Sequence, residues 1–207
     1  MNIGKMNKKK IIIISSPSGA GKTTICNKII NKNKNIKLSI SYTSRPIRKN
    51  ENHGIDYFFV EKKKFIDLNN KDFFIETAKV FNYLYGSPYE NINKAFNRGK
   101  HILFDIDWQG ANKLRKKFSK NNIIDFFILP PSKTELKKRL MIRGRESQIE
   151  IKKRLSLAVK EISHYNEYKY VLVNDNIEQT VVNILKIIQY EELLLNIYRK
   201  VKSVKMI

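Results

Sequence analysis

The chain of 207 residues is poor in cysteine, histidine and acidic residues. A single cysteine, Cys26, excludes a disulfide framework and is typical of a reducing compartment, so we expect a cytoplasmic protein. The histidines His53, His101 and His164 lack the spacing of metal ligands. No apolar run approaches the length of a membrane span, and the isoleucine run at 11–14 is too short for a signal peptide. Disulfide-rich secreted proteins, histidine-based metal sites and membrane-spanning proteins are therefore excluded.

The shortage of acidic residues, 19 against 41 lysines and arginines, gives a net charge of +22 and raises nucleic-acid binding as an alternative. The lysines are scattered over the whole chain, and lysine, asparagine and isoleucine are over-used together, as an A+T-rich genome would impose. A binding patch would instead be clustered, with interleaved aromatics or a recognition motif. We expect no specific nucleic-acid partner, and only weak, salt-sensitive binding from the charge.

A phosphate-binding loop is predicted directly after the first apolar run. The isoleucines at 11–14 read as a short buried strand, and small residues then lead into the Gly-Lys-Thr-Thr segment at 21–24, where a helix begins. Strand, loop and helix start form the layout of a P-loop, in which backbone N–H groups and the positive end of the helix bind phosphate. Gly19 lets the main chain approach phosphate oxygens because it has no Cβ. Lys22 is expected to reach the β- and γ-phosphates of ATP, and the Thr23 hydroxyl to bind Mg²⁺.

The ATP-binding candidates are the residues of this loop, namely Ser16, Pro17, Ser18, Gly19, Ala20, Gly21, Lys22, Thr23 and Thr24. The motif G-x-x-x-x-G-K-[ST] has glycine where this chain has Ser16, which is a mild departure because the residues after it build most of the anion site. A turn of small residues that binds nothing is the alternative, and the strand before the loop and the helix after it argue against that alternative.

A second apolar stretch, Ile102–Gly110, reads as a buried strand with carboxylates near its end. Asp105 and Asp107 are two positions apart, so we expect both to project to the same side. A hydrophobic strand that ends in Asp resembles the Walker B element of P-loop proteins, and Asp107 joins Thr23 as a candidate Mg²⁺ ligand. Carboxylates that only close a strand-end turn are the alternative.

Strands alternate with helices along the chain, which predicts βαβ units, a parallel sheet and an α/β fold. Further strands are expected at Leu38–Tyr42, Tyr57–Val60, Phe73–Glu76, Ile123–Leu129 and Tyr170–Val173, and a turn at Tyr83–Pro88. Helices are expected at about Thr23–Lys32, Lys62–Asn69, Glu90–Arg98, Lys133–Arg143, Gln148–Glu167 and Glu178–Lys200. The strand-rich stretch 40–99 and the arginine-rich stretch 131–155 interrupt this rhythm, and we interpret them as insertions over the carboxyl edge of the sheet, where such folds bind ligands.

Separate stretches of this sequence, in the expected order, resemble the guanylate kinase family of nucleoside monophosphate kinases over nearly the whole chain, from Lys10 to about Leu195. They read SSPSGAGKTT, SYTSRPIR, GIDYFF, FFIETA, YGS, LFDIDWQGA, ILPPS, KKRLMIRG and VND. The resemblance is greatest to the bacterial soluble members. It implies Mg²⁺-dependent transfer of the γ-phosphoryl group of ATP to GMP, which gives ADP and GDP in purine nucleotide metabolism.

The resemblance also implies a P-loop kinase fold, with a parallel sheet flanked by helices, a strand-rich GMP-binding insertion and a short helical lid. The expected organisation is a basic N-terminal extension at 1–9, core segments at 10–39, 100–130 and 156–207, the insertion at 40–99 and the lid at 131–155. The expected partners are the small molecules GMP and ATP, without a membrane, for a monomer or a homo-oligomer.

The substrate residues follow from the same resemblance. Those expected at the GMP phosphate are Arg45, Arg48, Tyr57 and Tyr85. Those expected around the guanine are Ser41, Glu76, Ser87 and Asp107, and Asp105 is a further substrate-binding candidate. Glu76 has a direct physical reason, because a carboxylate accepts hydrogen bonds from N1–H and N2–H of guanine, whereas adenine presents an acceptor at N1. Such a charge-assisted hydrogen bond is worth about 1.5–3 kcal/mol.

The remaining assignments concern the ATP side. Arg139, Arg143 and Arg154 match lid arginines that close over the phosphates, and with Lys22 they are the catalytic candidates. Asn174 matches a position near the ATP base. Because the acceptor is an anionic phosphate oxygen, no general base is needed, and catalysis consists of positioning and neutralisation of charge.

Two departures from the family pattern lie in the insertion. Family members read T-T-R-x-P-R, whereas Pro46 stands next to Arg45 here, and Asn82–Tyr83 replaces a common Gly-Asn.

Two alternatives to the enzyme stay open: a non-catalytic guanylate-kinase-like binding module, and a P-loop kinase for another small phosphate. The intact segment at 21–24 argues against the first, and Glu76 together with Arg45 argues against the second.

Overall fold

The computed structural model describes residues 9–142 and 148–204. The predicted extension at 1–9, apart from Lys9, and the predicted lid residue Arg143 lie outside the described residues. The strands are β1 (Ile11–Ser15), β2 (Ile36–Leu38), β3 (Tyr42–Thr43), β4 (Phe58–Phe59), β5 (Phe74–Val80), β6 (Tyr83–Pro88), β7 (His101–Asp105), β8 (Ile123–Leu129) and β9 (Tyr170–Val173). The helices are α1 (Lys22–Lys32), α2 (Lys62–Asn70), α3 (Tyr89–Asn97), α4 (Trp108–Lys117), α5 (Lys133–Ile142), α6 (Gln148–Ile162) and α7 (Ile177–Val204).

The main sheet is parallel, has the strand order β2-β7-β1-β8-β9 and confirms the predicted α/β fold. Its central strand β1 is buried on both faces. Ile11 and Ile13 contribute to one apolar layer with Phe104 and Leu114, while Ile12 and Ile14 face the opposite layer, which contains residues of α1 and α7. This alternation of side chains along a strand that is covered on both sides explains why its sequence is an unbroken apolar run.

The carboxyl ends of β1 and β7 lie side by side, with Ile14 of β1 in register with Asp105 of β7. The predicted strand 102–110 ends early, because β7 stops at Asp105 and Asp107 is the N-cap of α4. The loop after β1 and the end of β7 therefore meet at one edge of the sheet, the edge at which open α/β folds bind their ligands.

A second, mixed sheet with the order β4-β3-β6-β5 is built from the predicted insertion. The predicted strand Leu38–Tyr42 is wrong, because Leu38 ends β2 of the main sheet and Tyr42 begins β3 of the second sheet. The predicted turn Tyr83–Pro88 is also wrong. It forms β6, which pairs with both β3 and β5. Gly86 suits this strand because the Phe74 ring lies only 2.9 Å from where a Cβ would stand.

The helical hairpin of α5 and α6 has a small apolar core of its own, formed by Leu136, Leu140 and Ala158. It lies against the loop after β1, since a Cβ on Gly19 would come within 3.1 Å of both Leu136 and Leu140. Helix α6 ends at Ile162, earlier than predicted, and a short 3-10 turn follows it at Tyr165–Glu167. Within 9–142 and 148–204, none of the helices combines the length and apolar character needed to span a membrane.

Candidate active site

The predicted P-loop has the expected layout of a buried strand, a tight loop and a helix start. The amide of Ala20 donates to the carbonyl of Pro17 at 3.2 Å, which closes the turn. Gly19 and Gly21 have φ angles of 92° and 93°, values that glycine adopts without the steric cost paid by other residues. Helix α1 begins directly after Gly21, so the free N–H groups of its first turn point toward the space that the loop encloses. The loop is thus built to bind an anion.

Lys22, in the first turn of α1, forms an ion pair with Asp105 at the end of β7. Burial opposes the positive charge of Lys22, but the Asp105 carboxylate outweighs that cost and raises the pKa of the lysine. The Thr23 hydroxyl donates to the other oxygen of Asp105 at 3.0 Å. The structure therefore brings Thr23 together with Asp105, whereas the sequence paired it with Asp107 as a metal ligand.

Asp107 lies in the same site, but as the N-cap of α4 and not at the end of the strand as expected. Its Oδ1 accepts from the Gly110 amide at 3.0 Å and its Oδ2 from the Gln109 side chain at 2.8 Å, so it caps helix α4. Both Asp105 and Asp107 line the same cavity, although only Asp105 belongs to the strand. The role of Asp107 as a metal ligand stays a prediction.

The predicted guanine pocket contains a directed chain of hydrogen bonds. Ser87 Oγ donates to Glu76 Oε1 at 2.6 Å, and Ser41 Oγ lies 2.9 Å from Ser87 Oγ. When Glu76 is ionised, the only hydroxyl hydrogen of Ser87 goes to its carboxylate, so Ser41 is then the donor to Ser87. The oxygen of Ser41 therefore keeps a free lone pair for a donor on a ligand.

Glu76, on β5, is 3% exposed. Burial raises the pKa of its carboxyl to about 7, with a smaller contribution from Asp107 and against the hydrogen bond from Ser87. A carboxyl near its titration point and aimed into a cavity is a recurrent mark of a functional site. Ionised, it is suited to accept two parallel N–H groups of a ligand.

The predicted phosphate clamp is held by an acidic residue that the sequence reasoning did not single out. Glu51 accepts from Arg45 Nη1 at 2.9 Å and from Nη2 at 2.7 Å, and also from the main-chain amide of Arg48 at 2.9 Å. The Arg45 guanidinium lies 5.7 Å from the centre of the Tyr57 ring. The Tyr57 and Tyr85 rings pack edge to face, with their centres 5.9 Å apart. The sequence does offer a local clue to this role, because Glu51 is an acidic residue within a loop rich in basic residues.

One cavity joins most of the predicted site. The predicted residues that line it are Ser16, Pro17, Ser18, Gly19, Gly21, Lys22, Thr23, Ser41, Arg48, Tyr57, Glu76, Tyr85, Asp105 and Asp107. Ala20 and Ser87 are buried behind this lining, and Thr24 is exposed in the first turn of α1. Arg45 and Arg154 line a wider neighbouring cleft that shares Arg48, Tyr57 and Tyr85 with the cavity. Residues far apart in sequence thus surround one space.

The lid arginines are placed unequally. Arg154, on α6, lines the wider cleft. Arg139 lines neither cavity, and its Nε donates to Glu135 one turn earlier in α5 at 2.8 Å. Their catalytic roles, like that of Arg143, stay predictions.

Asn174, which is expected near the ATP base, lies against the P-loop. Its side chain has no exposed surface, and it donates to the Ala20 carbonyl at 2.8 Å while it accepts from Thr180 at 3.2 Å. It therefore lies behind the P-loop, where it holds the loop backbone. Its place near the ATP base stays a prediction.

Glu161, on α6, is a second acidic residue that the sequence reasoning missed. Its Oε2 accepts from the Ser18 amide of the P-loop at 3.0 Å, and it lines the central cavity. Burial raises the pKa of this carboxyl, against the hydrogen bond from Ser18 and the nearby charge of Lys22. No local pattern marks this residue, because its contact spans 143 positions.

The comparisons with known proteins agree with this geometry. The family model described as guanylate kinase matches residues 8–191. The guanylate kinase of Blochmanniella pennsylvanica is 44% identical over 186 residues, which cover 88% of this chain and 87% of the relative. That of Rickettsia prowazekii is 43% identical over 185 residues, covering 89% of this chain and 93% of the relative.

A solved structure extends the likeness to the fold. The crystal structure of guanylate kinase from Anaplasma phagocytophilum superposes with a TM-score of 0.74 at 36% identity, covering 89% of this chain and 86% of that chain. Since the family model spans most of the sequence and these relatives are similar over nearly their whole length, the chain belongs to the guanylate kinase family of nucleoside monophosphate kinases.

Proposed function

We propose that this protein transfers the γ-phosphoryl group of ATP to GMP in a Mg²⁺-dependent reaction that yields ADP and GDP. The observation that carries the proposal is that Lys22 of the P-loop and the buried carboxylate of Glu76 line one cavity. A phosphate-binding loop alone specifies no acceptor. A carboxylate that accepts two N–H groups favours guanine over adenine, because adenine has no N–H at the matching ring position.

GMP is proposed to bind between the two sheets. Glu76 accepts hydrogen bonds from N1–H and N2–H of guanine, and Ser41 Oγ accepts a hydrogen bond from a further donor of the ligand. Arg45, held by Glu51, and Arg48 bind the phosphate with Tyr57 and Tyr85 as hydroxyl donors. Planar guanidinium groups suit this task because they bind phosphate oxygens in a bidentate manner.

ATP is proposed to bind with its β- and γ-phosphates at the P-loop and Lys22. Thr23 Oγ1 and the Asp105 carboxylate, 3.0 Å apart, are oxygen donors of the type that Mg²⁺ takes together with phosphate oxygens. These residues therefore fit the ion, and bound Mg²⁺ would supply neutralisation of phosphate charge. Lys22 pairs with Asp105 here, so it is already located where it can turn toward an incoming phosphate.

In the proposed step, an oxygen of the GMP phosphate forms a bond to the γ-phosphorus, and the bond from that phosphorus to the β–γ bridging oxygen of ATP breaks. The attacking oxygen is already anionic, so no side chain removes a proton. Lys22 and the lid arginines Arg139, Arg143 and Arg154 would balance the charge that spreads over the transferred group. Closure of the insertion 40–99 and the lid 131–155 over both nucleotides would exclude water, which otherwise hydrolyses ATP.

The test is a parallel assay of the purified protein with ATP, Mg²⁺ and GMP, AMP, CMP or UMP. We expect rapid formation of ADP and GDP with GMP and at most slow turnover with the others. Equal rates with all four acceptors would refute the guanine specificity. GMP binding without ADP formation would instead support the non-catalytic binding module, against which the intact P-loop argues.

In cells, the single buried Cys26 favours the cytoplasm as the place of this reaction.

A further inference from the structure

Gly110, in the first turn of α4, touches the side chain that the proposed function assigns to guanine. A Cβ on Gly110 would stand 2.5 Å from Glu76 Oε2 and 3.1 Å from Glu76 Cδ, and 3.3 Å from Ile106 Cβ. Real Cβ atoms do not approach an oxygen so closely. Gly110 is not among the residues with a positive φ, so the space and not the backbone conformation requires a glycine here.

The Glu76 carboxylate has little freedom to avoid such a Cβ. Its side chain is buried at 3% exposure, and its Oε1 is held by the 2.6 Å hydrogen bond from Ser87. The helix cannot retreat easily either, because the Gly110 amide is bound to Asp107 at 3.0 Å and the next residue, Ala111, is fully buried in the core. A methyl group at position 110 would therefore move the carboxylate.

We propose that Gly110 is a positioning residue that determines specificity for guanine. Because Gly110 has no Cβ, α4 can approach Glu76 closely and hold its carboxylate where it accepts the N–H groups of guanine. The inference rests on the proposed function and names a residue that never touches the substrate. Helix propensity by itself favours alanine over glycine at this position. A purely local role would therefore make Gly110→Ala neutral or stabilising.

The experiment compares Gly110→Ala with wild type in steady-state kinetics with GMP and ATP. We expect kcat/KM for GMP to fall about tenfold or more, the loss of one charge-assisted hydrogen bond, while KM for ATP stays within about twofold. The ratio of kcat/KM for GMP to that for AMP falls as well. Gly99→Ala is the matched control, since Gly99 has a φ of 66° and no atom within 4 Å of its Cβ position. It loses stability without a change in kcat/KM for GMP.

A double-mutant cycle with Glu76→Ala identifies the mechanism. If Gly110 acts through the carboxylate, Gly110→Ala has no further effect on kcat/KM for GMP once Glu76 has been truncated, and thermal denaturation shows that the double variant is folded. Wild-type kcat/KM for GMP in Gly110→Ala, or an equal loss in both backgrounds, would overturn the inference. Failure of the proposed function looks different, because the wild-type protein would then not phosphorylate GMP at all.

Discussion

The side-chain amide of Asn174 donates a hydrogen bond of 2.8 Å to the main-chain carbonyl of Ala20, 154 positions earlier in the chain. Ala20 is within the P-loop, and the other end of the Asn174 amide accepts from Thr180 in the first turn of α7. All three residues are almost completely buried. The anion-binding loop is thus held from behind by the start of the last helix.

Asn174→Ala should therefore weaken ATP binding. The variant leaves the Ala20 carbonyl without its buried donor, which costs about 1–3 kcal/mol, and it frees the loop to leave its binding conformation. We expect KM for ATP to rise and KM for GMP to stay near its wild-type value in initial-rate kinetics. Asn176→Ala is the control, because Asn176 caps α7 through a 3.0 Å bond to the Gln179 amide without touching the loop. An unchanged KM for ATP in Asn174→Ala would contradict this role.

Lys22→Ala should nearly abolish phosphoryl transfer while the fold persists. We expect kcat to fall by about 10²-fold or more, as is usual when a group that neutralises transition-state charge is removed. Circular dichroism and thermal melting check the fold. Lys28→Ala is the matched control in the same helix, since Lys28 pairs with the exposed Glu178 at the surface. Full activity of Lys22→Ala would refute the assignment of the P-loop.

The affinity for GMP should depend on pH through Glu76. Its pKa of about 7 means that the free protein carries a neutral carboxyl below pH 7, while guanine N–H donors require the ionised form. Apparent affinity should therefore fall about tenfold for each pH unit below 7 and level off above it, with a proton released on binding. Calorimetry between pH 6 and 8 measures both effects. The phosphate of GMP titrates as well, so the control is Glu76→Gln, in which only that second dependence remains.

Glu76→Gln should stabilise the unliganded protein at alkaline pH. The folded carboxyl has a pKa of about 7 against the ordinary glutamate value of 4.5, so the folded chain binds more protons in between and stability is lost as pH rises through this range. Above pH 7 the raised pKa lowers the free energy of unfolding of the wild-type protein by about 3 kcal/mol. Denaturant unfolding should show the variant to be more stable than wild type at pH 8 but nearly equal at pH 5. Equal stability at both values would mean that the pKa of the carboxyl is not raised.

Glu51→Gln should impair the use of GMP selectively. An amide presents one acceptor oxygen to the two guanidinium donors of Arg45, so the bidentate pair is lost and the arginine is no longer held in place. We expect kcat/KM for GMP to decrease about tenfold, with KM for ATP unchanged. The control is Glu178→Gln, which removes an exposed ion-pair partner far along the chain. An equal effect on both nucleotides would point to general damage instead.

Several elements and residues could be predicted because their signals are local. The isoleucine run at 11–14 followed by the loop and Lys22 is a continuous pattern, and the strands Ile123–Leu129 and Tyr170–Val173 have the predicted bounds. Turn residues and caps mark where such elements end. The strand Tyr83–Pro88 was missed because its hydrogen-bond partners are β3 and β5, and the glycine within it reads as a turn until the Phe74 ring beside it is known.

The order of residues by itself determined the family and the P-loop pattern and predicted most of the side chains that line the central cavity, because each motif is short and keeps its spacing along the chain. Only the tertiary structure decided how those side chains are held. It placed Glu161 and Asn174 against the P-loop, Glu51 on Arg45, and Gly110 against Glu76. These contacts join separate strands and helices, and three-dimensional packing alone brings such segments within hydrogen-bond distance.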